Sequence, residues 1–141
     1  FRITNPYGPR AQVKNPSYCI LNWFIRQVME NKNITIFGDG LQTRDFTPVE
    51  NIVHANLLAG SHGAPLNGEI FNVGTGNAIS LIALIQFMTG QKEIKVEHAT
   101  QRAGDVQSSC ADIEKITNAL GFESTIETDI ALRNVVSPKH S

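Results

Sequence analysis

The stretch over residues 34–50 constrains the fold more than any other part of this sequence, because a strand, a sharp turn and a helix start follow one another without a break. A β-branched run predicts a strand over residues 34–37, and two glycines around Asp39 predict the turn. A single cation, Arg44, lies in the short strand predicted next, over residues 42–46. A flexible turn, one cation and a helix start so close together are typical of an anion site.

Thr47 is the predicted N-cap of the helix that follows this stretch. Pro48 suits the first helical position, and Glu50 completes a capping box with the threonine. The helix is predicted to run to about Ser61. Its inward-facing side chains are expected to be the apolar ones, Val49, Ile52, Val53 and Leu57.

Helix and strand patterns alternate along the rest of the chain, which predicts a mixed α/β fold. Apolar residues at helical spacing predict helices over residues 17–30, 80–90, 112–121 and 126–136. Strand patterns cover residues 1–4, 69–73 and 94–98. Because these strands are few and short, they are expected to form one or two small sheets rather than a full doubly wound sheet.

The composition excludes several classes of function. The chain has 141 residues and a net charge of −1, which fits one domain and argues against a basic nucleic-acid surface. No apolar run approaches the roughly 20 residues that cross a membrane. Cys19 and Cys110 match no metal or disulfide spacing, so no metal site and a reduced, cytoplasmic protein are predicted. The first residues read as a strand entered midway, from which we expect a fragment of a longer protein.

The sequence contains binding groups rather than a complete set of catalytic residues. No glycine-rich dinucleotide loop is present, and neither Tyr7 nor Tyr18 is followed by a lysine four residues later. Arg44 follows the glycine turn and Arg102 lies on a separate predicted loop, and together they would suit a diphosphate, because guanidinium groups match phosphate oxygens in a bidentate way. Asp105 could accept hydrogen bonds from ribose hydroxyls. The alternative for each is a solvated charge or a local ion pair of little energetic consequence.

Six segments resemble, in the same order, the sequence blocks of the extended short-chain dehydrogenase/reductases. They are residues 2–10 (R-I-T-N-P-Y-G-P-R), 34–46 (I-T-I-F-G-D-G-L-Q-T-R-D-F), 48–53, 71–76, 102–105 (R-A-G-D) and 120–122. Together they cover nearly the whole chain. They resemble the C-terminal part of an NAD-dependent nucleotide-sugar epimerase/dehydratase of the UDP-glucose 4-epimerase type.

The resemblance implies an architecture and a division of labour. Residues 1–141 would form a single C-terminal substrate-binding domain, a small mixed α/β lobe whose N-terminal Rossmann half is absent. In this family that half binds NAD and carries the Tyr-x-x-x-Lys pair. The isolated chain is therefore expected to be inactive, with no catalytic, cofactor-binding or metal-binding residue of its own, and NAD is implied only for the full-length enzyme.

The resemblance also implies roles for seven residues by matching position. Arg44 and Arg102 would bind the diphosphate and Asp105 the nucleoside ribose. The other four are Asn5, near a phosphate or the sugar, Leu21, beside the nucleotide, and Thr35 and Phe37, which would flank the base partly through backbone groups.

Three interpretations stay open at this point. The first is the UDP-sugar-binding lobe of a nucleotide-sugar epimerase, and the second is the same lobe from a 4,6-dehydratase, a decarboxylase or a reductase. The third is a truncated binding or assembly module without catalysis. In the third case the surface that would otherwise meet the Rossmann half, expected to include Trp23 and Phe24, would be exposed, which predicts self-association or partial disorder of the isolated chain. No nucleic acid or membrane partner is expected.

Overall fold

A computed structural model describes residues 1–8, 19–90 and 93–126 of the chain. The helices are α1 (Ile20–Met29), α2 (Val49–Ser61), α3 (Leu81–Thr89) and α4 (Glu114–Leu120). The strands are β1 (Arg2–Ile3), β2 (Pro6–Tyr7), β3 (Ile34–Phe37), β4 (Thr43–Arg44), β5 (Thr47–Pro48), β6 (Asn72–Val73), β7 (Ile79–Ser80), β8 (Val96–Ala99) and β9 (Ser108–Ser109). The helix predicted over residues 126–136 falls almost entirely outside the described residues.

The mixed α/β class is confirmed, but the predicted number of sheets is wrong. Within the described residues the strands form four small sheets: β1–β6, β2–β5, β3–β8 and β7–β4–β9. Every pair is parallel except β4–β7. Most strands are only two residues long, so a strand pairs with one or two neighbours and cannot extend into a larger sheet.

Two apolar clusters hold these elements together. The first core cluster lies between α1, α3 and β3. Its buried members are Tyr7, Leu21, Phe24, Ile25, Val28, Ile34, Ile36, Phe46, Leu81, Leu84, Ile85 and Met88. The second core cluster lies between α2, β6 and α4 and contains Ala55, Phe71, Val73, Ile116, Leu120 and Phe122.

Local sequence determines several elements as predicted. Strand β3 has the predicted bounds, and its buried residues alternate with less buried ones. Ser80 caps α3, since its hydroxyl oxygen accepts a hydrogen bond from the N–H of Ala83 at 3.3 Å. Gly121 ends α4 in the left-handed region, with φ of 66°. None of the helices in the described ranges is long and apolar enough to cross a membrane.

The predicted capping box of α2 is wrong. Thr47 is fully buried in β5 and its hydroxyl pairs with the hydroxyl of Thr4 at 3.0 Å instead of capping the helix. Pro48 occupies the N-cap position without a side-chain cap, and the helix begins at Val49. Thr47 and Pro48, which local sequence assigns to the start of a helix, therefore pair with strand β2 instead.

The predicted inward face of α2 is also wrong for most of its residues. Val49, Val53 and Leu57 are exposed, at 40%, 52% and 67% of their surfaces, while Asn51 and Ala55 are buried. The three exposed residues recur every fourth position and form one line along the helix, called here the α2 stripe. Ile52 is half-buried against the second core cluster.

Asn51 occupies the inward position because its side chain provides hydrogen-bond partners for residues 124–126, which cross the start of α2. Its amide nitrogen donates to the hydroxyl of Ser124 at 2.9 Å and to the carbonyl of Ile126 at 3.2 Å. Its oxygen accepts from the backbone N–H groups of Thr125 and Ile126. A buried polar side chain with all its partners is stable inside a fold, so Asn51 attaches residues 124–126 to α2.

Candidate functional site

A cavity of about 220 Å³ opens between α1, the β3–β4 segment and the loop that joins β8 to β9. Six of the predicted site residues line it: Asn5, Thr35, Phe37, Arg44, Arg102 and Asp105. The other lining residues are Cys19, Ile20, Phe24, Ile36, Gln42 and Leu81. Among these twelve residues the charged ones are two arginines and one aspartate, so the wall carries a net charge of +1. The cavity is therefore suited to an anionic ligand.

Leu21 is the predicted site residue that the structure places elsewhere. Its side chain has no exposed surface and belongs to the first core cluster. The preceding residue, Ile20, lines the cavity instead. Neighbouring residues on a helix point about 100° apart, so the face that carries Leu21 into the core leaves Ile20 at the cavity wall.

Arg44 is held in place by its own strand and by the opposite loop. Strand β4 is the central strand of its sheet, between β7 and β9. One guanidinium nitrogen of Arg44 donates to the carbonyl of Thr43 at 2.8 Å, and the other donates to a carboxylate oxygen of Asp105 at 3.0 Å. The side chains of this ion pair are 16% and 24% exposed, so it is partly shielded from water. The pair joins β4 to the 102–105 loop across the cavity.

Arg102 is held by an aromatic ring rather than by an acid. Its guanidinium carbon lies 3.8 Å from the centroid of the Phe37 ring, well within the range of a cation–π contact. The loop turns tightly beneath it, since the N–H of Asp105 donates to the carbonyl of Arg102 at 3.2 Å and Gly104 has φ of 78°. Arg102 is exposed and Phe37 is half-buried, so the ring provides a fixed support for a mobile cation.

The outer edge of β3 presents main-chain polar groups on the side of the cavity. The N–H groups of Ile34 and Gly38 donate across to the β8 side, to Lys95 and Ala99, both at 2.9 Å. Because the bonding direction alternates along a parallel strand, the N–H and C=O groups of Thr35 and Phe37 point to the opposite edge. The Phe37 carbonyl accepts a hydrogen bond from the Gln42 amide at 2.8 Å.

Asn5 contributes to the cavity through an unusual backbone conformation. Its φ is 32°, in a region that favours asparagine and glycine, and its side-chain amide donates to the carbonyl of Asp45 at 3.0 Å. This amide therefore does not cap its own loop. Asn5 instead ties the segment after β1 to the residue after Arg44.

Sequence reasoning missed Asp45, a fully buried carboxylate beside the cavity. It accepts hydrogen bonds from four donors: the backbone N–H groups of Thr75, Gly76 and Ala111, at 3.0–3.2 Å, and the Thr75 hydroxyl, at 2.6 Å. These bonds hold two separate segments, the 74–76 loop and the segment at Ala111, around the residue that follows Arg44. The available signal was an aspartate in a short predicted strand, followed thirty residues later by a glycine loop.

Gly74 shows how tightly this carboxylate is enclosed. A Cβ atom at this position would lie 2.4 Å from the Cβ of Ala111 and 2.5 Å from a carboxylate oxygen of Asp45. Only glycine fits such an approach without displacing backbone. The 74–76 loop is therefore part of the support for the cavity.

The cysteines do not suggest metal chemistry. No group of three potential metal ligands occurs among the residues that the structure describes. Cys19 lines the cavity, and Cys110 lies next to the segment that binds Asp45. Partial burial and, to a smaller extent, the negative charge of Asp45 raise the pKa of the Cys110 thiol.

The chain is similar to known proteins over most of its length. Residues 1–74 match the NAD dependent epimerase/dehydratase family. Over 139 residues the chain is 34% identical to a UDP-glucuronate 4-epimerase of Thermodesulfobacterium geofontis, covering 96% of this chain and 41% of that protein. Over 127 residues it is 30% identical to UDP-glucuronic acid decarboxylase 4 of Arabidopsis thaliana, covering 89% of this chain and 28% of that protein.

The fold is also found in solved structures. The crystal structure of a UDP-glucose 4-epimerase from Thermotoga maritima with UDP-glucose superposes with a TM-score of 0.83 at 32% identity. The match covers 96% of this chain and 43% of that one. The chain thus spans about two fifths of the length of the epimerases that it resembles.

Proposed function

Because the chain belongs to the NAD dependent epimerase/dehydratase family, we propose that it is the nucleotide-sugar-binding lobe, from the C-terminal part, of a nucleotide-sugar 4-epimerase. The family predicted from sequence is confirmed. The observation that carries the proposal is the cavity in which Arg44, Arg102 and Asp105 meet the outer edge of β3. Its ligand would be a UDP-sugar or a related nucleotide-sugar.

Each part of such a ligand has a matching group in the cavity. The two arginines would bind the diphosphate, in charge-assisted hydrogen bonds that contribute about 1.5–3 kcal/mol each. Asp105 would accept hydrogen bonds from the ribose hydroxyls. Thr35 and Phe37 would meet the base through the main-chain groups of the β3 edge, because a base offers donors and acceptors in one plane. Asn5 would lie near a phosphate or the sugar.

The lobe would bind and orient the substrate but would not perform proton or hydride transfer. The 141 residues contain no Gly-x-Gly-x-x-Gly segment, so the residues of this chain do not fit the dinucleotide. The hydride-transfer chemistry would be supplied by NAD held by the rest of the complete protein, and the residues of this lobe would hold and orient the sugar for it. The isolated chain is therefore expected to be inactive, and turnover by this polypeptide alone would contradict the proposal.

A second, exposed surface supports the proposal that this lobe is part of a larger protein. The β1–β6 sheet has only two parallel strands in the described residues, and parallel sheets are normally covered on both faces. Ile3 on β1 is 42% exposed and the α2 stripe is also uncovered. We propose that the Rossmann half of the complete protein packs here. The expected contact through Phe24 is wrong, because that side chain is fully buried, and Trp23 packs against the first core cluster. Self-association of the isolated chain stays a prediction.

Binding of UDP to an Arg44→Ala variant tests the proposal. The arginine provides one cation in direct reach of the diphosphate, so its loss should weaken UDP binding about 10-fold or more, at ~1.4 kcal/mol per decade. Isothermal titration of the complete protein measures this. Arg26→Ala is a matched control, because Arg26 lies on the exposed face of α1 in an ion pair with Glu30. Equal UDP affinity in the Arg44→Ala variant and the wild type would remove Arg44 from the site.

A second candidate function keeps the lobe and changes the reaction. The similarity to a UDP-glucuronic acid decarboxylase over 89% of the chain favours a decarboxylase as the alternative. Incubating the complete protein with UDP-glucuronate and NAD separates the two, since an epimerase yields a 4-epimer and a decarboxylase releases carbon dioxide. Release of carbon dioxide would overturn the epimerase assignment while leaving the binding site intact.

A further inference from the structure

We propose that Phe37 is a positioning residue that holds the guanidinium group of Arg102 over the cavity and thereby strengthens the binding of the diphosphate. The proposal rests on the nucleotide-sugar site proposed above and adds a role for one residue within it. Sequence similarity implies only that Phe37 flanks the base. The structure instead places the Arg102 guanidinium carbon 3.8 Å from the centroid of the ring, so one face of Phe37 is already covered.

The ring is a firm support because its backbone is fixed on both sides. The preceding residue, Ile36, is buried in the first core cluster. The Phe37 carbonyl accepts from the Gln42 amide at 2.8 Å, and the next residue, Gly38, donates to Ala99 at 2.9 Å. Phe37 thus occupies the end of a strand that cannot move without breaking these contacts.

The two arginines of the cavity are held by different means. Arg44 is paired with Asp105 and is mostly buried, whereas Arg102 lies on an exposed loop. A long exposed side chain loses conformational entropy when a phosphate immobilises it. A ring that already restricts the guanidinium removes part of that loss before binding, which is preorganisation. The contact also leaves the positive charge intact for the phosphate, unlike a salt bridge.

A Phe37→Leu variant of the complete protein tests this role, with UDP and uridine as the two ligands. Uridine lacks the phosphates, so the ratio of the two affinities isolates the contribution of the diphosphate. An exposed cation–π contact corresponds to roughly a 2- to 5-fold change in affinity. We expect Phe37→Leu to lower the ratio of UDP affinity to uridine affinity by about that factor. A Phe37→Tyr variant retains a ring beneath the cation and should keep the wild-type ratio.

The decisive measurement is a double-mutant cycle with Arg102→Gln. If Phe37 acts through Arg102, Phe37→Leu has no further effect on UDP affinity once the arginine is replaced. Independent effects of the two substitutions, or equal losses for UDP and uridine, would overturn the proposal and assign Phe37 to base stacking. Failure of the wild type to bind UDP would instead refute the proposed function itself. If Phe37→Leu does not fold, Phe37→Met, which also removes the ring, replaces it in the cycle with Arg102→Gln, and Phe37→Tyr remains the control that retains the ring.

Discussion

Replacing Asp45 with asparagine removes one charge from the most enclosed polar group next to the cavity. The carboxylate accepts from the backbone N–H groups of Thr75, Gly76 and Ala111 and from the Thr75 hydroxyl. An asparagine offers one oxygen and one NH₂ group. In its less costly orientation the oxygen keeps Gly76 and Ala111, and the NH₂ group faces the Thr75 hydroxyl, which can accept. The Thr75 N–H keeps the same oxygen, at 3.1 Å, and loses its second acceptor, at 3.0 Å.

The size of the effect follows from these bonds. A hydrogen bond to a charged group contributes about 1.5–3 kcal/mol and a neutral one about 0.5–1.5 kcal/mol. Three backbone donors whose acceptor loses its charge, at about 1 kcal/mol each, give a destabilisation of the loop arrangement of about 3 kcal/mol. At ~1.4 kcal/mol per decade this corresponds to roughly a 100-fold increase in local opening.

Hydrogen exchange of individual backbone amides measures this opening directly. In the Asp45→Asn variant the amides of Thr75, Gly76 and Ala111 should exchange roughly 100-fold faster than in the wild type. Asp39→Asn is the matched control, because Asp39 is exposed and accepts only from the N–H of Leu41 at 2.9 Å among the hydrogen bonds described, which asparagine can do equally well. Wild-type exchange at all three amides in the Asp45→Asn variant would refute the reasoning.

Three further predictions concern other residues of the lobe. Asp105→Asn removes the acid that is paired with Arg44, so inorganic pyrophosphate should bind more tightly. UDP should bind less tightly, because its ribose loses a charged acceptor. Calorimetry with both ligands checks this, and an affinity change of the same sign for both would contradict it. Asn51→Ala deprives residues 124–126 of their hydrogen-bond partners and should lower the free energy of unfolding by about 2–3 kcal/mol in denaturant titrations. Asn56→Ala, on the exposed side of the same helix, should change that free energy by less than about 0.5 kcal/mol. The raised pKa of Cys110 leaves less thiolate at a given pH, so iodoacetamide at pH near 8 should alkylate Cys110 more slowly in the folded protein than in the denatured chain. The difference in rate should shrink as the pH rises above the folded-state pKa. Equal rates near pH 8 would show that the thiol is not shielded.

Local patterns were sufficient where the determining interactions are local. The β-branched run before the glycine turn predicts β3 with its observed bounds, and Ser80 predicts the start of α3. Six of the twelve residues that line the cavity were found through loop glycines and arginines, together with the family resemblance. Arg44 and Arg102 lie far apart in the chain, and β4 and the 102–105 loop bring them to one cavity.

Local patterns failed where a distant segment decides the outcome. The inward face of α2 depends on residues 124–126, which form hydrogen bonds with Asn51. The apolar periodicity within the helix carries no information about this distant segment. Thr47 matches a cap motif, but pairing with β2 and the Thr4 hydroxyl outweigh a single capping bond. The role of Asp45 was missed for the same reason, since its hydrogen-bond donors lie thirty and sixty-six residues away in the sequence.

The pairing of the strands has a consequence for synthesis on the ribosome. Arg2 lies opposite Asn72, Ile34 opposite Val96 and Arg44 opposite Ser109, so these parallel pairs join segments that emerge from the exit tunnel at very different times. Closing such long loops costs entropy before any contact rewards it, which slows folding. The helices can form as they emerge, but the cavity cannot assemble until Ser109 is outside the tunnel. Until then β1 and β3 remain open edges that a chaperone would have reason to cover.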